Sequence, residues 1–173
     1  GNNTINNTIN NNINIQLFLN DKCGDAMSIQ NFVNQLTIKL SDLVQENNMS
    51  IPNILIDNLK PLGITERPMH LDLYTDNKNP IWMIKDEIEG WKKDTGKIVI
   101  KQTEYGINKK FQELWNKEYP NWENNDKLKE LNLDLWKYLL SEYTDKEIEK
   151  ILKKIGPKCK LTLESIIKCE INN

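Results

Sequence analysis

His70, Arg67 and Ala26 are the only histidine, arginine and alanine in this chain of 173 residues. Each scarcity closes off some chemistry. With one imidazole, Cys23-Gly24-Asp25 has no second histidine to activate a nucleophile and reads as a turn. With one guanidinium, bidentate reading of guanine is nearly unavailable. The three cysteines, Cys23, Cys159 and Cys169, form no C-x-x-C pair and lack zinc-site spacing. An odd, unpaired set suits a reducing compartment. Seven glycines are present, none in a phosphate-cradling pattern, and no Walker, G-x-G-x-x-G, G-x-S-x-G or H-E-x-x-H motif occurs. No apolar run approaches a membrane span, and the start is not a secretory signal. The sequence therefore points to no cofactor, no metal, no membrane and no evident small-molecule substrate.

Charge is balanced. The net is −2, with residues 1–80 at −3 and residues 81–173 at +1. Neither half is a polyanion-binding surface by bulk charge. The carboxylates at Asp86, Glu87 and Glu89, and at Glu142, Asp145 and Glu147, sit in turns or helix starts, where acids complement the helix dipole. What the chain has in quantity is asparagine, lysine and isoleucine, a skew that follows AT-rich codons. The three Asn-x-Ser/Thr matches, beginning at Asn2, Asn6 and Asn48, follow from asparagine abundance. A hydrophobic content of 38% with five tryptophans describes a folded globule. Gly1 reads as a processing scar, so the natural chain is expected to continue upstream.

Ile5, Ile9, Ile13, Ile15, Leu17 and Leu19 all fall on odd positions, with amide or hydroxyl side chains between them and Phe18 as the exception. On a strand this alternation separates an aliphatic face from an amide face. The expectation is one long strand, with residues 1–12 an oligomerisation extension and residues 13–173 a single domain. Those six aliphatics are the candidate interface of a homo-oligomer, because an apolar ribbon left in water marks a contact surface. A helical alternative exists, since Ile5, Ile9, Ile13 and Leu17 are four apart, but asparagine is a poor helix former.

Downstream, Ser28 caps an amphipathic helix running to about Gln45 through Ile29, Phe32, Leu36, Leu40 and Leu43. Ser50 and Pro52 open a second helix, closed by Pro61 and Gly63. Residues 69–75 and 81–86 form a hairpin, with His70 half-exposed on its polar face. Residues 97–102 are ambiguous between strand and helix. A helix follows from Ile107 to before Pro120, another from about Asn125 to Leu140, and a third opens at the Thr144–Glu147 capping box and ends at Gly156-Pro157. The tail is strand-like at Leu161–Leu163 and again at Ile166–Ile171, with a helical turn at Leu163–Lys168 as the alternative. The fold class is α+β: an N-terminal long strand, amphipathic helices, a central β-hairpin and a helix-rich C-terminal half.

Trp82, Trp91 and Trp115 interleave with Lys92, Lys93, Lys97, Lys101, Lys109 and Lys110. Aromatics among lysines can stack bases and neutralise phosphates, so these lysines are the candidate nucleic-acid contacts of the alternative reading. Core tryptophans beside a solvated lysine face explain the same pattern.

The run N-I-Q-L-F-L-N-D-K-C-G-D-A-M-S-I-Q-N-F-V at residues 14–33 resembles an uncharacterised family of large DNA viruses of the mimivirus type. That family often carries an N-terminal C2H2-like zinc finger and an Asn-rich linker. Similar segments are N-I-L-I-D-N-L at 53–59, T-E-R-P-M-H at 65–70, W-M-I-K-D and W-K-K-D within 82–94, and E-L-W-N-K-E-Y-P-N-W at 113–122. The finger is absent here, and Met69-His70-Leu71 stands where the family pattern has Ile-His-Cys. The resemblance implies a viral protein expressed in the cytoplasm of an infected host, DNA-associated through the missing finger, and no catalytic residues. The apolar ribbon, in turn, gives the leading expectation of a non-enzymatic assembly module.

Overall fold

The computed structural model describes residues 14–43, 50–73, 78 and 80–172. Its sheet has strands β1 (Met69–Asp72), β2 (Ile81–Asp86), β3 (Gly90–Asp94) and β4 (Lys160–Leu161), in the order β3-β2-β1-β4. β1, β2 and β3 run antiparallel, and β4 lies parallel to β1. The expected hairpin is present, with His70 opposite Met83 and Leu71 opposite Trp82. Side chains on β2 alternate between two cores, as a pleated strand requires. Trp82 and Ile84 enter the larger core with Met69 and Leu71 of β1, while Met83 enters a smaller one with Trp91 of β3 and Leu161 of β4.

The larger core is closed by α2 (Ile29–Asn34), α3 (Leu40–Leu43), α4 (Ser50–Leu59), α5 (Lys97–Glu118), α6 (Asp126–Leu139) and α7 (Asp145–Cys159). The smaller core, on the opposite sheet face, is closed by α1 (Ile15–Lys22) and α8 (Leu163–Ile171). The architecture is α+β and helix-rich towards the C-terminus, as the sequence indicates.

Several expectations are corrected. Residues 15–22 form a helix, not a strand. Asn14 caps it, its Oδ1 accepting from the Leu17 N–H at 3.2 Å. The buried set is Ile15, Phe18 and Leu19, so the exception to the alternation lies on the buried face. The apolar sheet face below is covered by these residues rather than extended at an edge by another strand. It needs an apolar helix lid, and a three-four spacing provides one. Gln16 then donates its amide to the Trp91 carbonyl at 2.9 Å, covering the outer edge of β3. Ile5, Ile9 and Ile13, and with them the 1–12 extension, lie outside the described residues.

The helix expected from Ser28 to Gln45 is broken in two. Leu36 and Ile38 are both buried around an exposed Thr37, an extended pattern. Asn58 holds that stretch open: its Oδ1 accepts from the Thr37 N–H at 2.8 Å, and its Nδ2 donates to the Thr37 carbonyl at 3.1 Å. Lys110 donates to the Leu36 carbonyl at 2.6 Å. Side chains thus take over bonds a continuous helix would have made.

His70 is 1% exposed, not half-exposed, because β1 is an interior strand covered on both faces. β3 was not expected; its only buried apolar residue is Trp91, and Asp86 folds the turn before it by accepting from the Ile88 and Glu89 N–H groups at 2.9 and 3.0 Å. Residues 97–102 are helical, since Asp94 accepts from Gly96 and Ile98 N–H at the start of α5. α7 continues through Gly156 and Pro157 to Cys159. The proline falls in the exposed last turn, where water can serve the Lys153 carbonyl it leaves unbonded. Gly156 lies close over β1, an added Cβ coming within 3.2 Å of Leu71. Residues 166–171 are helical rather than extended: Thr162 and Ser165 cap α8 reciprocally, each accepting from the other's N–H at 3.2 and 2.8 Å.

Candidate functional site

α5 is the longest helix of the fold and presents three surfaces. Its buried face carries Val99, Ile100, Ile107, Phe111 and Trp115 into the larger core. Its C-terminal end, with the 38–41 segment and α6, encloses an open cleft of about 640 Å³. The walls are Ile38, Leu40, Leu114, Tyr119, Leu131 and Leu135, and Trp115 lies at the floor. Leu131, on the rim, is 44% exposed. A cleft of this volume with hydrocarbon walls is of the kind that holds small apolar ligands or side chains of a partner.

Trp115 is 1% exposed, and its Nε1–H has no hydrogen-bond partner. The other indoles nearby are satisfied: Trp122 donates to Asn116 Oδ1 at 2.9 Å and Trp136 to Gln112 Oε1 at 2.8 Å. Trp115 packs among Phe111, Tyr119 and Trp122, with centroids 6.1, 4.7 and 6.4 Å away. No acceptor lies within hydrogen-bond range of that N–H. An unmade bond on a buried donor costs about 1–3 kcal/mol. The mouth of the cleft carries Lys39, Lys117 and Glu118, two positive charges against one negative.

A second cleft of about 550 Å³ lies between β1, β2 and α7, floored by Leu71, Trp82 and Leu152. Its mouth at Leu73 and Pro80 adjoins residues outside the described set. A third void, between α4, α5 and α6, gathers the Tyr138 hydroxyl with Ser50 Oγ and Asn108 Oδ1, the last two buried without partners. At about 10 Å³ it has room for one water at most. Glu104 and Tyr143 also line it, and burial raises the pKa of each.

Burial holds Cys23, Cys159 and His70 in inert forms. Burial pushes the Cys23 and Cys159 thiols up to about 12, so neither forms a thiolate at neutral pH. His70 is pushed down to about 4 by burial. Its Nε2 lies 2.9 Å from the Ile64 carbonyl, which can only accept, so that nitrogen carries the proton. The ring stacks on Trp91 at 5.5 Å. Among the described residues, no group of three His, Cys, Asp or Glu side chains could hold a metal ion. No helix among them is long and apolar enough to cross a membrane.

Of the described members of the candidate interface, Ile15 and Leu19 are buried in the smaller core and Leu17, at 66% exposed, faces solvent. The candidate nucleic-acid lysines separate as well. Trp82, Trp91 and Trp115 are buried and cannot stack on bases. Lys92 pairs with Glu89 at 2.7 Å and Asp86 at 3.8 Å, and Lys110 is half-buried against the Leu36 carbonyl. Lys93 projects from the other face of β3, its partner Met83 facing the smaller core. Lys97, Lys101 and Lys109 do share one surface. With Tyr105, 64% exposed, they form an i, i+4 ridge on α5, its members about 6 Å apart along the axis. Lys97 also pairs with Asp145 at 3.2 Å.

Sequence reasoning missed the 640 Å³ cleft. Leu114, Trp115, Leu131 and Leu135 fit core positions of their helices, and Ile38 and Leu40 fall within the expected Ser28–Gln45 helix, which breaks between Asn34 and Leu40. The available signal was the leucine content of α6, of which Leu131 and Leu133 are exposed. No family model, no curated protein and no solved structure matches this chain.

Proposed function

We propose that this chain is a non-catalytic binding module that receives an apolar group in the cleft between α5, α6 and the 38–41 segment. The cleft itself carries the reading: a concavity of about 640 Å³ walled by leucine, isoleucine and aromatic side chains. The inert state of Cys23, Cys159 and His70 supports binding over catalysis. The resemblance to the giant-virus family supports placing the module in a viral protein of the host cytoplasm. Titration with a neutral apolar dye such as N-phenyl-1-naphthylamine tests the reading. Saturable fluorescence enhancement is expected, and Leu131→Glu, a rim change in solvent, is expected to weaken it about tenfold or more by placing a charge against the apolar occupant. Equal enhancement in both proteins would place the dye elsewhere and remove this site.

A second reading, single-stranded nucleic-acid binding, is favoured by the exposed Lys97, Lys101, Tyr105 and Lys109 ridge. Lysines supply phosphate neutralisation, and Tyr105 supplies the stacking surface that the buried tryptophans do not. Fluorescence anisotropy with labelled oligonucleotides is expected to show salt-sensitive binding, weakened by Lys101→Glu with Lys109→Glu. Absence of binding at low salt would dispose of it.

A further inference from the structure

We infer that the ligand of the α5–α6 cleft is an amphiphilic carboxylate, an aliphatic or aryl body ending in one anionic oxygen group. The inference rests on the proposed binding role and adds the chemistry of the occupant. Three features define that chemistry. The hydrocarbon walls, Ile38, Leu40, Leu114, Leu131 and Leu135, match a hydrocarbon body. The Trp115 indole beneath it is a donor with nothing to donate to, so the missing partner is an acceptor. Lys39 and Lys117 at the mouth outnumber Glu118, so the acceptor that suits the site is negatively charged.

The three features favour one orientation. The Trp115 N–H is a buried donor without a partner on a residue that lines the cleft, so the group that would pair with it is an acceptor brought by a ligand. A bare carboxylate left there would be a buried charge without compensation. The lysine stems are long enough to fold inward from the rim, and their ammonium groups complete the pairing while their methylenes cover the hydrocarbon body. A quaternary ammonium headgroup would meet the same two lysines with the wrong sign. An alcohol could accept from the indole but would gain nothing from the lysines.

Isothermal titration of the full chain with decanoate, decanol and decyltrimethylammonium, each below its micelle concentration, tests the inference. Decanoate is expected to bind about tenfold more tightly than decanol, in line with charge-assisted hydrogen bonds being about twice as strong as neutral ones. Decyltrimethylammonium is expected to bind weakest. In Lys39→Gln/Lys117→Gln, changes confined to the mouth, the preference for decanoate over decanol is expected to fall severalfold. Equal affinity for decanoate and decanol, or a decanoate preference untouched by the lysine changes, would overturn the carboxylate assignment and leave the binding role standing. No binding of any of the three would overturn both.

Discussion

At the scale of single residues, burial decides what each titratable group can do. His70 shows the sign most plainly. Its pKa drops from 6.5 to about 4, chiefly because burial disfavours the imidazolium, with Arg67 adding repulsion and the Ile64 carbonyl opposing. Between those two values the unfolded chain binds a proton that the folded chain does not. Stability is therefore fully present above pH 6.5 and declines as the pH falls towards 4, by roughly 3 kcal/mol. Urea unfolding followed by circular dichroism across this interval is expected to show the decline. His70→Gln, whose amide can still donate to the Ile64 carbonyl, is expected to flatten it. A wild-type stability that stays level between pH 6.5 and 4 would contradict the buried neutral imidazole. Asp86 behaves oppositely: the Glu89 N–H, the Gln30 amide and the Ile88 N–H hold its carboxyl down at about 2, so the turn before β3 keeps its charge through the same titration.

At the scale of elements, local signals were legible where they were self-contained. The capping box at Thr144 and Glu147, the cap at Ser28, the Ser50–Leu59 helix and the β1–β2 hairpin all form as their residues indicate. Misreadings occurred where a distant partner settles the outcome. Residues 15–19 satisfy a period of two and a spacing of four at once, and the sheet face they cover chooses the helix. Leu36 and Leu40 carry a helical hydrophobic spacing, yet the Asn58 amide and the Lys110 ammonium bind the backbone at Thr37 and Leu36 and break the helix between them. β3 offers one buried tryptophan among charged neighbours, too little for a period-two signal. The same break in the helix places Ile38 and Leu40 on the cleft wall, so one misread element hid the candidate site. The α5 ridge, by contrast, was half-legible: the lysines were visible in the sequence, but which of them share a surface depended on residues 97–102 being helical.

For the whole molecule, the sheet separates two cores of unequal size, and β2 feeds both through its alternation. The smaller core is sealed by α1 and α8, joined at their ends by the Lys22–Glu170 ion pair at 3.7 Å. The larger core ends at the α5–α6 cleft, where the aromatic cluster of Phe111, Trp115, Tyr119 and Trp122 comes closest to open space. The described part of the N-terminal ribbon is therefore a lid on the chain's own sheet, and the proposed function places the ligand surface in the cleft instead. The claim that this cleft binds through Trp115 is open to direct reading. The five tryptophans give five indole N–H signals in a nitrogen–proton correlation spectrum. On addition of decanoate, the Trp115 signal, assigned by its loss in Trp115→Phe, is expected to move downfield as it gains an acceptor, with those of Trp82 and Trp91 staying in place. A Trp115 signal that holds still while decanoate binds, or a larger movement at Trp82 or Trp91, would contradict the account.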